Sequence, residues 1–311
     1  MAVYDCCMIY NEIDLLKIRI SLLKDVVDYF VVVELNKTFR GKNKPYFFKE
    51  REKELFEYRD RIIYVTSDNI PSSTGSGDWS IERHQRNCMI YGLRKCQEDD
   101  IIMISDVDEI PNPDLLINPE KYYICKESLN SKKNNKRAIL SAASTLSKQE
   151  LFLLLSGGLN LKTAIEKIPV CLHMRNYYYY MNCQARGLIP TTIICKYKNM
   201  QFPQTLRDSR NKLLSIKDGG WHFSYLGGID SVKRKLKSII DDRPEIVSKM
   251  KKYSSDDLYI KECLEKGKDL YGRTDVANTF SFISPEEIGI RNVKEIVKEY
   301  SNFFWKENKS I

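Results

Sequence analysis

A short apolar run that ends in a cluster of acids constrains the fold of this chain more than any other stretch. Residues 101–111 are IIMISDVDEIP, an apolar run followed by three acids within four residues and then a proline. The run is typical of a strand buried on both faces, and Pro111 is expected to end it because proline cannot donate to a ladder. Asp106 and Asp108 would then project together from the carboxyl end of the strand, where open α/β sheets bind ligands.

Two carboxylates at this spacing indicate a site for one hard divalent cation, which prefers oxygen ligands. The alternative is an acidic turn with no ligand. No glycine-rich phosphate loop follows any predicted strand, so a bound diphosphate would need another device to hold it. A cation on Asp106 and Asp108 would supply that device and would neutralise charge on the diphosphate leaving group of a nucleotide sugar.

Strand and helix patterns alternate through the first hundred residues. Apolar strand patterns cover residues 3–9, 29–35 and 62–66, and a helix pattern starts after Asn11 and Glu12. A second helix pattern precedes the acidic strand. This alternation predicts an α/β fold with a mostly parallel central sheet flanked by helices.

Charge and cysteine usage narrow the class of protein. The 50 basic and 42 acidic side chains are interleaved and leave a net charge of +8, which does not indicate nucleic-acid binding but suits an anionic substrate. Nine irregularly spaced cysteines, mostly within apolar runs, are typical of reduced core thiols. Without a signal-peptide pattern or a membrane-spanning apolar run, we predict a cytoplasmic protein with no transmembrane segment.

A second informative stretch is GGWHFSY at residues 219–225. Its glycines allow a tight backbone path beside an anchoring tryptophan. His222 could be a further metal ligand or phosphate contact, or it could be a core histidine. Arg86, on the helix before the acidic strand, suits phosphate oxygens, with a solvated helix face as the alternative. Arg207 and Arg210 are also candidates for a phosphate contact, with less support from the sequence.

The combination of motifs resembles the family 17 glycosyltransferases, a family of N-acetylglucosaminyltransferases. The matching stretches appear in order over about residues 3–272: VYDCCMIYNEIDLL at 3–16, VVVELNKTFRG at 31–41, the Arg86-Asn87 pair, IIMISDVDEIP at 101–111, LHMR at 172–175, GWHFS at 220–224 and DLYI at 257–260. The resemblance implies a GT-A-like (Rossmann-like) fold. It also implies an inverting, Mn²⁺-dependent (or Mg²⁺-dependent) transfer from a UDP-sugar, with UDP-GlcNAc as the family's donor, to a glycan acceptor.

The resemblance also implies an organisation and site residues. We expect one domain at 1–275, comprising a nucleotide-sugar half (1–111), an elaboration (122–167) and an acceptor half (168–275), followed by a C-terminal helical extension (276–311). The metal ligands would be Asp106, Asp108 and His222. The donor would contact Asn11, Glu12, Glu34, Asn36, Arg86 and Asp106.

A carboxylate would remove the proton of the acceptor hydroxyl. The candidates for this base are Asp230, Asp241, Asp242 and Asp257, with no ranking among them. Two other functions stay open at this point: a metal-dependent phosphohydrolase that uses the same aspartates, and a non-catalytic glycan-binding protein of the same fold. The oligomeric state, the donor sugar and the acceptor are left open.

Overall fold

The strands of the computed structural model form one mixed sheet. The structure describes residues 1–74, 77–125, 132–238, 248 and 256–306. Ten strands lie within these residues: β1 (Val3–Met8), β2 (Tyr29–Val33), β3 (Ile62–Val65), β4 (Ile101–Asp106), β5 (Glu109–Pro111), β6 (Val170–Tyr178), β7 (Cys183–Lys196), β8 (Leu214–Ile216), β9 (Gly220–Ser224) and β10 (Phe280–Phe282). The main path runs in the order β3-β2-β1-β4-β7-β6-β9-β5.

Helices flank this sheet. They are α1 (Ile13–Leu23), α2 (Phe47–Arg51), α3 (Ser80–Asn87), α4 (Met89–Gly92), α5 (Asp114–Ile117), α6 (Lys132–Ala143), α7 (Lys148–Ser156), α8 (Leu161–Ile165), α9 (Pro203–Ser209), α10 (Gly228–Ser238), α11 (Asp257–Lys266) and α12 (Val293–Glu299). Among the described residues, no helix is both long enough and apolar enough to span a membrane.

The predicted α/β class is confirmed, with a division within the sheet. The strands β3, β2, β1 and β4 are parallel, as the alternation of strands and helices predicts. The long strand β7 then pairs antiparallel with both β4 and β6. The first half of the sheet is therefore doubly wound, and the second half is built on a long hairpin.

The acidic strand breaks earlier than Pro111. The strand β4 ends at Asp106, a two-residue turn follows, and the chain resumes as β5, which pairs antiparallel with β9. Pro111 lies opposite Gly220 in this short strand, which stands at the end of the strand order. Proline is tolerated there because an edge strand does not need every ladder N–H.

The glycine of β9 permits this pairing. Gly220 has a φ of +143°, and a Cβ on it would lie 2.1 Å from the carbonyl oxygen of Ile110. Only glycine allows the two backbones to approach so closely. The tight path expected from the glycine pair is therefore present, and it brings β9 against the acidic turn.

The described residues of the predicted elaboration at 122–167 include three helices, α6, α7 and α8. It buries Leu154, Leu159 and Leu161 in the main core. Residues of α6 also line a cavity of about 460 Å³, together with Lys167 and Lys212.

The predicted C-terminal helical extension differs from the structure in one respect. In addition to α12, it contributes β10, which pairs antiparallel with β7. Phe303 and Phe304, which follow α12, are buried in the main core. Residues 276–306 therefore complete the sheet and the core.

Candidate active site

A cavity of about 460 Å³ is lined by residues at the carboxyl ends of β1 and β4 and by residues of the helix α10. This volume is within the range of small-molecule sites. The charged side chains that line it are Glu12, Asp14, Arg51, Glu82, Asp106, Asp108, Arg234 and Lys235. The aromatic side chains are Tyr10, Phe39, Trp79, Phe223, Tyr225 and Phe303. Charged groups and ring faces thus share one space.

A buried arginine shapes the acidic turn at the cavity wall. Arg19 of α1 forms a bidentate ion pair with Asp5 of β1, at 2.7 and 2.6 Å. Its guanidinium also donates to the backbone carbonyls of Asp106, at 3.0 Å, and Glu109, at 2.7 Å. Because the guanidinium is planar and carries five donors, one side chain can hold both ends of the turn.

Asp106 is tied to two arginines. One carboxylate oxygen accepts from Arg86 at 2.9 Å and the other from Arg207 at 3.0 Å. Burial opposes ionisation of Asp106, but these arginines outweigh it and hold the pKa of the carboxyl well below its usual range. Asp106 is therefore an ionised member of a partly buried network.

Arg207, which the sequence supported only weakly, is central to this network. Besides Asp106, it donates to both oxygens of Glu109, at 2.8 and 2.5 Å. Glu109 in turn accepts from the backbone N–H of Asp106 at 3.0 Å. The predicted phosphate contact Arg86 is also buried, and it donates to Glu82 at 3.0 Å and to Gln204 at 2.5 Å. Both arginines thus neutralise carboxylates of the protein itself.

The structure brings Asp108 and His222 together. The register of β5 and β9 places Glu109 opposite His222, and Nε2 of His222 lies 3.8 Å from Oδ2 of Asp108. The other ring nitrogen, Nδ1, lies 2.9 Å from Oδ1 of Asn176, a carbonyl oxygen that can only accept a hydrogen bond. This contact orients the imidazole so that Nε2 faces Asp108.

A lysine also reaches Asp108. Nζ of Lys235, on α10, donates to Oδ2 of Asp108 at 3.0 Å and lies 5.0 Å from the centroid of the Tyr225 ring. Burial lowers the pKa of Lys235, but Asp108 and Glu12 outweigh it and raise the pKa above its ordinary value. An ammonium therefore faces the same carboxylate oxygen as the imidazole.

The predicted donor-binding residues separate into two groups. Asn11 and Glu12 line the cavity with Asp106. Glu34 is buried away from this lining, where it accepts hydrogen bonds from Lys44, Tyr64 and the backbone N–H groups at the start of α2. Its carboxylate therefore caps α2 within the protein. Asn36 is exposed and is not among the described residues that line the cavity.

Of the four predicted bases, the two that the structure describes do not line the cavity. Asp230 is exposed on α10, and Asp257 is exposed at the start of α11, where it pairs with Lys233 at 2.7 Å. Asp241 and Asp242 lie outside the described residues. The lining also contains Asp14 and Glu82, two carboxylates that are absent from the predicted site residues. Glu82 accepts a hydrogen bond from Arg86. Burial raises its pKa, and the attraction of Arg86 does not fully offset that effect.

The three predicted metal ligands differ in their surroundings. Asp108 and His222 present a carboxylate oxygen and an imidazole nitrogen 3.8 Å apart, and these atom types suit Mn²⁺. Asp106 is held by arginines on both oxygens. Among the described residues, no group of three histidine, cysteine, aspartate or glutamate side chains forms a complete cation site. A cation held by Asp108 and His222 would therefore draw its other ligands from water or from a bound substrate.

Comparison with known proteins relates the N-terminal part of the chain to a family. Residues 1–119 match the model described as Glycosyltransferase family 17, which confirms the resemblance over these residues. The rat (Rattus norvegicus) β-1,4-mannosyl-glycoprotein 4-β-N-acetylglucosaminyltransferase is 38% identical over 112 residues, and the human (Homo sapiens) protein of the same name is 37% identical over 110. These alignments cover 34% and 33% of this chain and 21% of each relative.

Proposed function

We propose, from the match of residues 1–119 to glycosyltransferase family 17, that this chain transfers a sugar from a UDP-sugar to a hydroxyl of a glycan acceptor. GlcNAc is the proposed sugar, because the aligned relatives are named as N-acetylglucosaminyltransferases. The proposal includes a GT-A-like arrangement and a requirement for Mn²⁺ or Mg²⁺. The predicted cytoplasmic location stays a prediction.

The observation that carries this proposal is the position of Asp108. Asp108 belongs to the segment that matches the family, and it lines the cavity of about 460 Å³ close to His222. Ring faces in the same lining, such as those of Tyr10 and Trp79, offer surfaces for a base or a sugar. Carboxylate, imidazole and aromatic groups together suit a ligand that carries both a diphosphate and rings.

The proposed chemistry assigns separate tasks to the residues. A bound divalent cation would supply Lewis-acid stabilisation of the diphosphate leaving group. Asp108 and His222 would hold that cation, and Asn176 orients the imidazole. Asp106, locked by Arg86 and Arg207, fixes the end of β4 so that Asp108 keeps its place in the lining. Asn11 and Glu12 would contact the donor from the end of β1.

Removal of the acceptor proton needs a carboxylate near the sugar. Asp230, Asp241, Asp242 and Asp257 stay as predicted candidates, and we add Glu82, because it lines the cavity and has a raised pKa. Replacing each in turn by its amide separates them. The variant that loses turnover while it keeps UDP affinity identifies the base.

The test of the proposed function is release of UDP and transfer of sugar from a panel of UDP-sugars, with Mn²⁺ and with EDTA. Asp108→Asn should lower turnover by at least about a hundredfold, a loss typical of removing one electrostatic contact to a transition state. Asp60→Asn, a change of the same kind at an exposed residue, should leave turnover unchanged. Full activity in EDTA would contradict the metal requirement. Release of phosphate from phosphate esters, with no reaction of any UDP-sugar, would contradict sugar transfer.

A further inference from the structure

We propose that Lys235 is a built-in cation that occupies the metal position at Asp108 and must leave it when a divalent cation binds. Its ammonium would then be available to the diphosphate of the donor. This inference rests on the proposed metal site, and it concerns how the chain's own charges couple metal binding to nucleotide binding.

The convergence of two groups on one oxygen carries the inference. Oδ2 of Asp108 accepts from Nζ of Lys235 at 3.0 Å and lies 3.8 Å from Nε2 of His222. A cation between Asp108 and His222 would use the same oxygen as the ammonium. Two positive charges bound to one carboxylate oxygen would repel each other strongly in a partly buried site. The metal and the ammonium therefore compete for Asp108.

The fold holds Lys235 at this position. The helix α10 buries Val232 and Leu236 in a core cluster with residues of α11. The residues at 231, 234, 235 and 238, which form a second face of the helix at spacings of three, one and three, line the cavity. Lys235 is thus aimed at Asp108 by the packing of its helix, and its side chain is 28% exposed.

This arrangement predicts positive coupling between metal and nucleotide. A metal that binds alone must displace the ammonium from Asp108, and the displaced Lys235 loses its ion pair. A diphosphate in the cavity would give the ammonium a new ion-pair partner. The free energy needed to displace Lys235 from Asp108 would then be smaller. By linkage, UDP should raise the affinity for Mn²⁺, and Mn²⁺ should raise the affinity for UDP by the same factor.

The test measures Mn²⁺ binding directly, from the electron paramagnetic resonance signal of the free ion, with and without UDP. In Lys235→Met, Mn²⁺ alone should bind at least about tenfold more tightly than in the wild type, because the competing charge is gone. The factor by which UDP tightens Mn²⁺ binding should shrink. Lys235→Arg, which keeps a positive charge, should retain weak binding of Mn²⁺ alone.

A neighbouring lysine provides the matched control. Lys233 lies on the same helix, two residues earlier, and pairs with the exposed Asp257. Lys233→Met should behave like the wild type. Mn²⁺ binding in Lys235→Met that is no tighter than in the wild type, including no binding in either protein, would overturn the proposal. Sugar transfer is not part of this readout, so a failure of the proposed activity gives a different result from a failure of the competition.

Discussion

At the scale of single residues, His222 and His173 illustrate how the surroundings of a histidine determine its role. His222 faces Asp108 with Nε2 because Asn176 engages its other ring nitrogen. His173 lies between apolar neighbours in β6, and it is 3% exposed. Its Nδ1 atom is buried without a hydrogen-bond partner in the described part of the chain. Burial, followed by repulsion from Lys217, lowers the pKa of His173 to about 4.

The pKa of His173 predicts a pH dependence of stability. The folded value of about 4 lies below the ordinary value of about 6.5, so the unfolded chain binds the proton more readily. The contribution of neutral His173 to stability is therefore fully present when the pH is above its ordinary pKa. This contribution is lost as the pH falls toward its pKa in the folded protein. We expect His173 to account for a loss of roughly 3 kcal/mol between pH 7 and pH 4.

Urea denaturation at a series of pH values measures this effect. Acidic residues also contribute to the pH dependence, so the wild type is compared with His173→Leu, which removes only the imidazole. The variant should lose less stability than the wild type on acidification through this window. Parallel curves for the two proteins would show that His173 is not the titrating group.

At the scale of elements, the site depends on the junction of β4, β5 and α1. The pattern of the sequence predicts β4 and its acidic end, because a continuous apolar run followed by acids is a local signal. It does not predict the Arg19–Asp5 pair, since an arginine in an amphipathic helix is usually exposed and its partner lies 14 residues earlier. The cap that Glu34 provides for α2 is likewise missed, because its donors come from several segments.

Breaking the Arg19–Asp5 pair at this junction should destabilise the folded protein. We expect Arg19→Met to lower the free energy of unfolding by about 3–5 kcal/mol, because it leaves Asp5 as an unpaired charge inside the protein. The turn carbonyls of Asp106 and Glu109 would also lose their donor. Chemical denaturation monitored by circular dichroism measures the change.

The double variant Asp5→Leu/Arg19→Met tests the reason for this loss. It removes both charges, so it should recover part of the stability that Arg19→Met loses. Recovery should be incomplete, because the turn carbonyls still lack the guanidinium. If the double variant were as unstable as the two single changes added together, the buried charge would not be the cause.

At the scale of the whole molecule, the chain folds back on itself to complete the site. Phe303 lines the cavity, although it follows β4 by almost two hundred residues. The indole N–H of Trp221 in β9 donates to the backbone carbonyl of Ile288 at 2.8 Å. Amphipathic patterns near the C-terminus predict helix there, but periodicity alone does not indicate which surface such a segment covers. The contacts of these C-terminal residues with the sheet therefore depend on tertiary packing, which the local sequence pattern does not predict.

The packing of residues 276–306 against the sheet predicts the effect of a C-terminal truncation. A chain that ends at Asp275 loses β10 and the buried side chains of Ile288, Ile296, Phe303 and Phe304. Each such side chain contributes roughly 1.5–3 kcal/mol by burial, and their sum is comparable with the 5–15 kcal/mol that stabilises a typical domain. We therefore expect the truncated chain to lack a cooperative thermal transition, and to lose the near-ultraviolet circular dichroism signal of packed aromatic rings.

A chain that ends at Lys306 is the control, because it keeps the contacts that join residues 276–306 to β7, β9 and the core. It should melt cooperatively near the midpoint of the full chain. A wild-type midpoint in the chain that ends at Asp275 would instead make residues 276–306 a separable appendage. The cavity would then have to keep its shape without Phe303, and the boundary predicted at residue 275 would be a true domain boundary.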